Sequence, residues 1–290
     1  MINSQMTNGR IISRTEVSLN KNMRVAVSRM YNSDLCNETT VERLTYISDG
    51  LKVKGYIAQP TKQGPYPVLL WNRGGSGDRG ALDDLLAYLI LASTAQWGYV
   101  VLATQYRGNM GSEGSEDWGG DDIQDSLNLL KVAEQLDSAD MSRLGIEGAS
   151  RGGMTTYRAL LCEDRFRCAI VHAGLVDLVS IVEQSDELAR FIEKQFGHLS
   201  DDGRRELLRN MSAVHFAERL PKNIPILLVH GDNDRTIPIV QSESMVEELS
   251  RFNIPHLFER ISGAGHVALK DGSYRQIDLL RKSWLKRHLA

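Results

Sequence analysis

Cysteine is scarce in this chain of 290 residues, and its three copies exclude a disulfide scaffold. Cys36, Cys162 and Cys168 fit neither a paired set nor a metal-binding spacing. Cys162 and Cys168 sit in apolar contexts and read as reduced core thiols of a cytoplasmic protein. No sign of charge dominates either. With 34 basic and 37 acidic residues the net charge is −3, which gives no general basis for binding nucleic acid or an anionic membrane. The opening Met1-Ile2-Asn3-Ser4-Gln5 lacks the basic-then-apolar layout of a signal peptide. Repeats and low-complexity tracts are missing. No glycine-rich phosphate loop follows the first strand and no His/Cys/Asp/Glu spacing suits zinc, so neither a cofactor nor a metal is expected. Long uncharged runs are rare too; the one that matters is Leu85 to Thr104. Gln96 and Gly98 interrupt it, and Tyr99-Val100-Val101-Leu102 is strand-like. A buried helix followed by a buried parallel strand explains it better than a membrane span.

What the chain does contain is a serine in a distinctive turn. Gly148-Ala149-Ser150-Arg151-Gly152-Gly153 lies between an apolar run, Leu144 to Glu147, and a helix-like run, Met154 to Leu161. Small residues two before and two after the serine allow the sharp strand-to-helix turn of a nucleophile elbow. A five-residue pattern alone is weak, and its bland reading is a turn serine. Partners follow in order, however. The run Ile226 to Val229 leads into His230-Gly231-Asp232-Asn233-Asp234-Arg235-Thr236-Ile237-Pro238, and Phe258 to Ile261 leads into Ser262-Gly263-Ala264-Gly265-His266. Serine, then an acid, then a histidine near the C-terminus is the chain order of α/β-hydrolases. His266 is the expected base and Asp234 the group that orients it. Asp232 competes with Asp234, which lies further along its loop and has more freedom to turn inward. Taken singly, the acid also reads as a helix cap and the histidine as a surface residue.

These segments resemble the catalytic domain of the prolyl oligopeptidase family. Its nucleophile motif G-x-S-x-G-G is matched by Gly148 to Gly153. Its acid motif H-G-x-x-D-x-x-V-P is matched by His230 to Pro238, with Ile237 in the valine position. Gln105 to Asn109 and Gly119 to Asp122 are similar to the segment between the family's oxyanion loop and its elbow. The resemblance covers residues 41–288. It implies the α/β-hydrolase fold: a mostly parallel sheet with helices on both faces, and a small helical insert. Two departures stand out. Only residues 1–40 precede the first core strand here, so the family's β-propeller is not expected. Where many relatives carry His-Gly-Gly, this chain has Asn72-Arg73-Gly74-Gly75. By the elbow's geometry one oxyanion donor is the N–H of Arg151; the other is expected from Arg73-Gly74-Gly75, with Gly75 favoured. Arg73 and Arg151 flank the expected site, so substrate binding by Arg73 is one reading and a solvated arginine the other.

Residues 1–40 form an N-terminal extension, either a helix laid on the core or an arm that makes a homo-oligomer. Residues 41–290 form the catalytic domain. Asp49-Gly50 predicts a hairpin between Glu42–Ser48 and Val53–Gln59. Strands at 67–71, 99–105, 144–147, 168–172, 224–229 and 256–261 then alternate with helices near 80–97 and at 121–134, 240–251 and 274–288. The stretch 176–219 breaks this alternation and is either a cap over the active site or a pair of surface helices. His198 and His215 within it read as surface or packing residues. The expected function is a serine hydrolase that forms an acyl-enzyme on Ser150. A peptidase acting on small or short peptide substrates comes first, a carboxylesterase second, and a non-catalytic ligand-binding protein is the reading from another class. Activity should depend on a neutral His266, titrating near the ordinary histidine value of about 6.5 or somewhat above it beside Asp234.

Overall fold

Asp49 and Gly50 take positive φ, 49° and 81°, as a two-residue hairpin turn requires. They join β2 (Thr39–Ser48) to β3 (Leu51–Pro60), which pair antiparallel from Ser48↔Leu51 to Thr39↔Pro60 without a break. The computed structural model describes residues 7–31, 34–266 and 272–290. Met1 to Gln5, whose sequence lacks a signal-peptide layout, lies outside them.

The described chain forms two compact units. The first runs to Ile146 and includes Leu289–Ala290. Its strands hydrogen-bond in the order β1-β2-β3-β5-β4, with β1 at Ile11–Glu16, β4 at Tyr66–Asn72 and β5 at Val100–Thr104. β4 and β5 are parallel, and both are almost wholly buried, which is why they read as continuous apolar runs. Within the N-terminal extension, residues 11–16 add an antiparallel edge strand, β1, to β2. The helix α1 (Lys21–Met30) buries Val27 but leaves Val25 43% exposed. After the short α2 (Leu35–Glu38), the uncharged run becomes α3 (Asp84–Leu86), a π-helical stretch (Ala87–Ala92), α4 (Ser93–Ala95) and then β5. Among the described residues no helix is long and apolar enough to cross a membrane. α5 (Asp122–Ala133) follows in the same unit.

β6 (Ala139–Ala149) carries the chain into the second unit, Glu147–His288. Here α6 (Arg151–Ala159) follows the elbow, and β7 (Phe166–His172), β8 (Ile226–Gly231) and β9 (His256–Ile261) pair in parallel. Between β7 and β8 lie α7 (Ile181–Gln184), α8 (Asp186–Phe196), α9 (Asp201–Met211) and α10 (Ala213–Phe216). α8 buries Ile192 and Phe196 and α9 buries Leu208 and Met211, leaving their other faces polar. Val182, Ile192 and Leu208 help to line an open groove of ≈ 630 Å³ in this insert. α11 (Val240–Arg251) and α12 (Tyr274–Leu289) follow β8 and β9 respectively. The architecture is the mostly parallel α/β arrangement that the alternating pattern implied. Cys168 is buried, as expected, but Cys162 is exposed because it falls in the turn after α6, not on the helix's inner face.

Candidate active site

Ser150 sits where β6 ends and α6 begins, at φ 57° and ψ −123°. A residue with a side chain rarely adopts this backbone, and it persists only when surrounding contacts hold it. Three hydrogen bonds do so. The Ser150 N–H donates to the His172 carbonyl at 2.9 Å, while the Ser150 carbonyl accepts from Gly153 at 2.9 Å and from Leu175 at 3.2 Å. The glycines make room for the turn. A Cβ on Gly148 would lie 2.1 Å from the Gly152 carbonyl oxygen, and one on Gly153 would lie 2.7 Å from the Gly174 Cα. The second glycine after the serine therefore allows α6 to approach the loop that leaves β7. Gly148→Ala should lower the melting temperature and the activity together, since backbone must move to admit the methyl group; thermal unfolding and a rate assay on that variant check it.

The acid loop is equally determined. The Asp234 side chain has no exposure, and its Oδ2 lies 2.7 Å from His266 Nδ1. Its Oδ1 accepts from the backbone N–H groups of Thr236 at 2.8 Å and Ile237 at 2.9 Å. His230 braces the loop from beneath. Its Nδ1 meets Ser242 Oγ at 2.7 Å, its Nε2 meets the Ile237 carbonyl at 2.8 Å, and Nε2 also lies 3.4 Å from Asp234 Oδ2. Burial works to raise the Asp234 carboxyl. Hydrogen bonds from His230 and His266, the His266 charge and the Ile237 amide outweigh it and hold the group well below the usual carboxylate range. An ionised acid is thus fixed against His266. Asp232 does something else: exposed, it accepts the Gly263 N–H at 2.7 Å and ties the two loops together.

Arg73 is not placed to grip a substrate. It is fully buried, and its guanidinium donates to the carbonyls of Gln105, Gly74 and Gly77 within its own unit. Its donors brace the 73–80 loop, where Gly75 at φ 75° leaves no room for a Cβ beside the Arg79 carbonyl. Gly74 lends its carbonyl to that brace. The Arg151 side chain is also buried, 1% exposed. His198 is exposed, and His215 lies 4.0 Å from Asp177 at the surface.

The motif reading missed one group. Glu147, three residues before Ser150, is 1% exposed. Its Oε1 accepts from Arg281 Nε and His172 Nε2, each at 2.7 Å, and its Oε2 accepts from Arg281 at 3.0 Å. Burial works against its charge, but Arg281 and His172 bring the carboxyl down to about 2. Arg281 lies 134 residues away in the chain, so no local pattern could have joined them.

A family model for the prolyl oligopeptidase family matches residues 87–290, most of the chain. The chain belongs to that family. It is accordingly a serine hydrolase. Over 213 residues, 73% of this chain and 80% of the relative, it is 29% identical to an uncharacterized peptidase, YtmA, of Bacillus subtilis. It is 26% identical over 236 residues to the esterase LipC of Mycobacterium tuberculosis, covering 74% of this chain and 56% of LipC. Among solved structures, an acylaminoacyl peptidase of Pyrococcus horikoshii superposes with a TM-score of 0.74 at 23% identity, over 87% of this chain and 42% of that one. That likeness shows the shared fold, and this family member spans less than half of the larger enzyme.

Proposed function

We propose that this prolyl oligopeptidase family member cleaves short peptides or small acyl amides through an acyl-enzyme on Ser150. The observation that carries this reading is an ionised, buried Asp234 held 2.7 Å from His266 Nδ1, in the same unit as a serine on a strained elbow. Asp234 keeps the His266 proton on Nδ1, so Nε2 is the nitrogen that takes the serine proton and later protonates the leaving group. The carbonyl of the scissile bond gains negative charge as Ser150 attacks, and the first N–H of α6, that of Arg151, is the donor assigned to it. Gly75, with Gly74 beside it, keeps the motif's assignment as the second donor. Water then repeats the attack on the acyl-enzyme with His266 as base. No step calls for a metal or cofactor, and the protein is read as cytosolic.

A carboxylesterase is the second reading, favoured by the likeness to LipC. Amide and ester pass through the same intermediate, so the triad does not separate them. Parallel kcat/KM measurements on p-nitrophenyl acyl esters and on aminoacyl and prolyl p-nitroanilides do. Measurable anilide cleavage is expected; fast ester cleavage with none detected would replace the peptidase reading by the esterase.

A further inference from the structure

We propose that Glu147 is a positioning residue for the nucleophile, fixing through His172 the backbone to which Ser150 is bonded. This rests on Ser150 being the nucleophile. Glu147 does not touch the reacting atoms. It acts on two segments that do bear on them: β6, whose end becomes the elbow, and the end of β7, where the His172 carbonyl accepts the Ser150 N–H at 2.9 Å.

The Ser150 conformation is strained and needs its surroundings to over-determine it. His172 supplies one of the three hydrogen bonds that do so, and it is the last residue of its strand. Its backbone is paired in the β8 ladder, opposite Val229, and its side chain adds a second anchor on the β6 side. Glu147 ties it, at 2.7 Å from Nε2. Glu147 is in turn held by two contacts to Arg281 of α12, and Arg281 is steadied by Asp278 at 2.7 Å. α12 follows the loop that carries His266, so a single buried carboxylate ties the nucleophile's strand to the helix beyond the base. The groups facing it are Arg281, His172 and the Cys168 thiol, which burial and the Glu147 charge push up to about 12. The carboxylate has no outlet to solvent. Among the described residues these partners set its geometry, and a neutral amide of the same shape cannot satisfy His172 and both Arg281 contacts as an acceptor.

The test compares Glu147→Gln with wild type by the rate of fluorophosphonate labelling, by separate kcat and KM on a cleaved p-nitrophenyl ester, and by melting temperature. The expected result is a loss on the order of 10- to 100-fold in labelling rate and in kcat, with KM changed by no more than about twofold, because a displaced nucleophile costs rate more than binding. A purely stabilising role would lower the melting temperature and leave both rates unchanged well below it, and that result overturns the proposal. If Glu147→Gln does not fold, His172→Ala and His172→Gln give the same decision. His172→Ala should lose labelling rate and His172→Gln, which keeps an N–H donor of similar reach, should recover most of it. Equal rates for the two overturn the proposal. Absence of labelling in the wild type would instead refute the nucleophile assignment itself.

Discussion

Replacing Ser150 with alanine is expected to lower kcat/KM by on the order of 10⁴- to 10⁶-fold while leaving the fold intact. The size of the loss follows from the chemistry, since without Oγ no acyl-enzyme forms and only binding and oxyanion donors remain. The intact fold follows from the elbow. The three hydrogen bonds that hold position 150 at φ 57° and ψ −123° are made by its backbone N–H and carbonyl, and alanine keeps both. Alanine also keeps the Cβ already accommodated there, so no new clash arises. Melting temperature and circular dichroism should match the wild type. A variant that retains near wild-type turnover, with contaminating hydrolase excluded, would sink the mechanism.

The strands and helices were legible where burial imposes a period on the sequence. Val240–Arg251 and His256–Ile261 have the bounds their patterns predict, and the charge-free stretch resolves into helix and buried strand. β1 was not legible. It is an edge strand with five consecutive exposed residues, Ile12 to Glu16, so it carries no inward-outward alternation to read. Arg73 was misread for another reason. Proximity to a glycine loop in sequence says nothing about where a long side chain points, and here it turns inward to the carbonyls that the tight loop leaves to be satisfied. His230 opens the acid motif, and its contacts to Ser242 and Ile237 make it a brace for that loop. Glu147 and Arg281 mark the limit of motif reading, because a buried ion pair between distant segments leaves no trace in spacing.

Asp234→Asn is expected to cost on the order of 10⁴-fold in kcat, whereas Asp232→Asn should cost little. Asparagine has one oxygen and one amide nitrogen, and the loop decides which goes where. At the Oδ1 position two backbone N–H groups, from Thr236 and Ile237, demand an acceptor, so the asparagine oxygen must sit there. The NH₂ then takes the Oδ2 position, 2.7 Å from His266 Nδ1, and can only donate. His266 is driven to the tautomer with its proton on Nε2, which cannot accept one from serine. The same NH₂ also faces His230 Nε2, whose proton is directed at the Ile237 carbonyl, so two donors are brought together. The native carboxyl is held below its unfolded value, so its stabilisation is present above the ordinary aspartate range and is lost only as pH falls through the lowered value. The asparagine variant lacks that stabilisation at neutral pH and should melt lower there. Asp232 needs only one acceptor toward the Gly263 N–H, which asparagine also provides. Rates, melting temperatures and the tautomer of His266, read by ¹⁵N NMR of the imidazole, test the argument together. Equal losses in the two variants, or a wild-type tautomer in Asp234→Asn, would contradict the assignment of the acid.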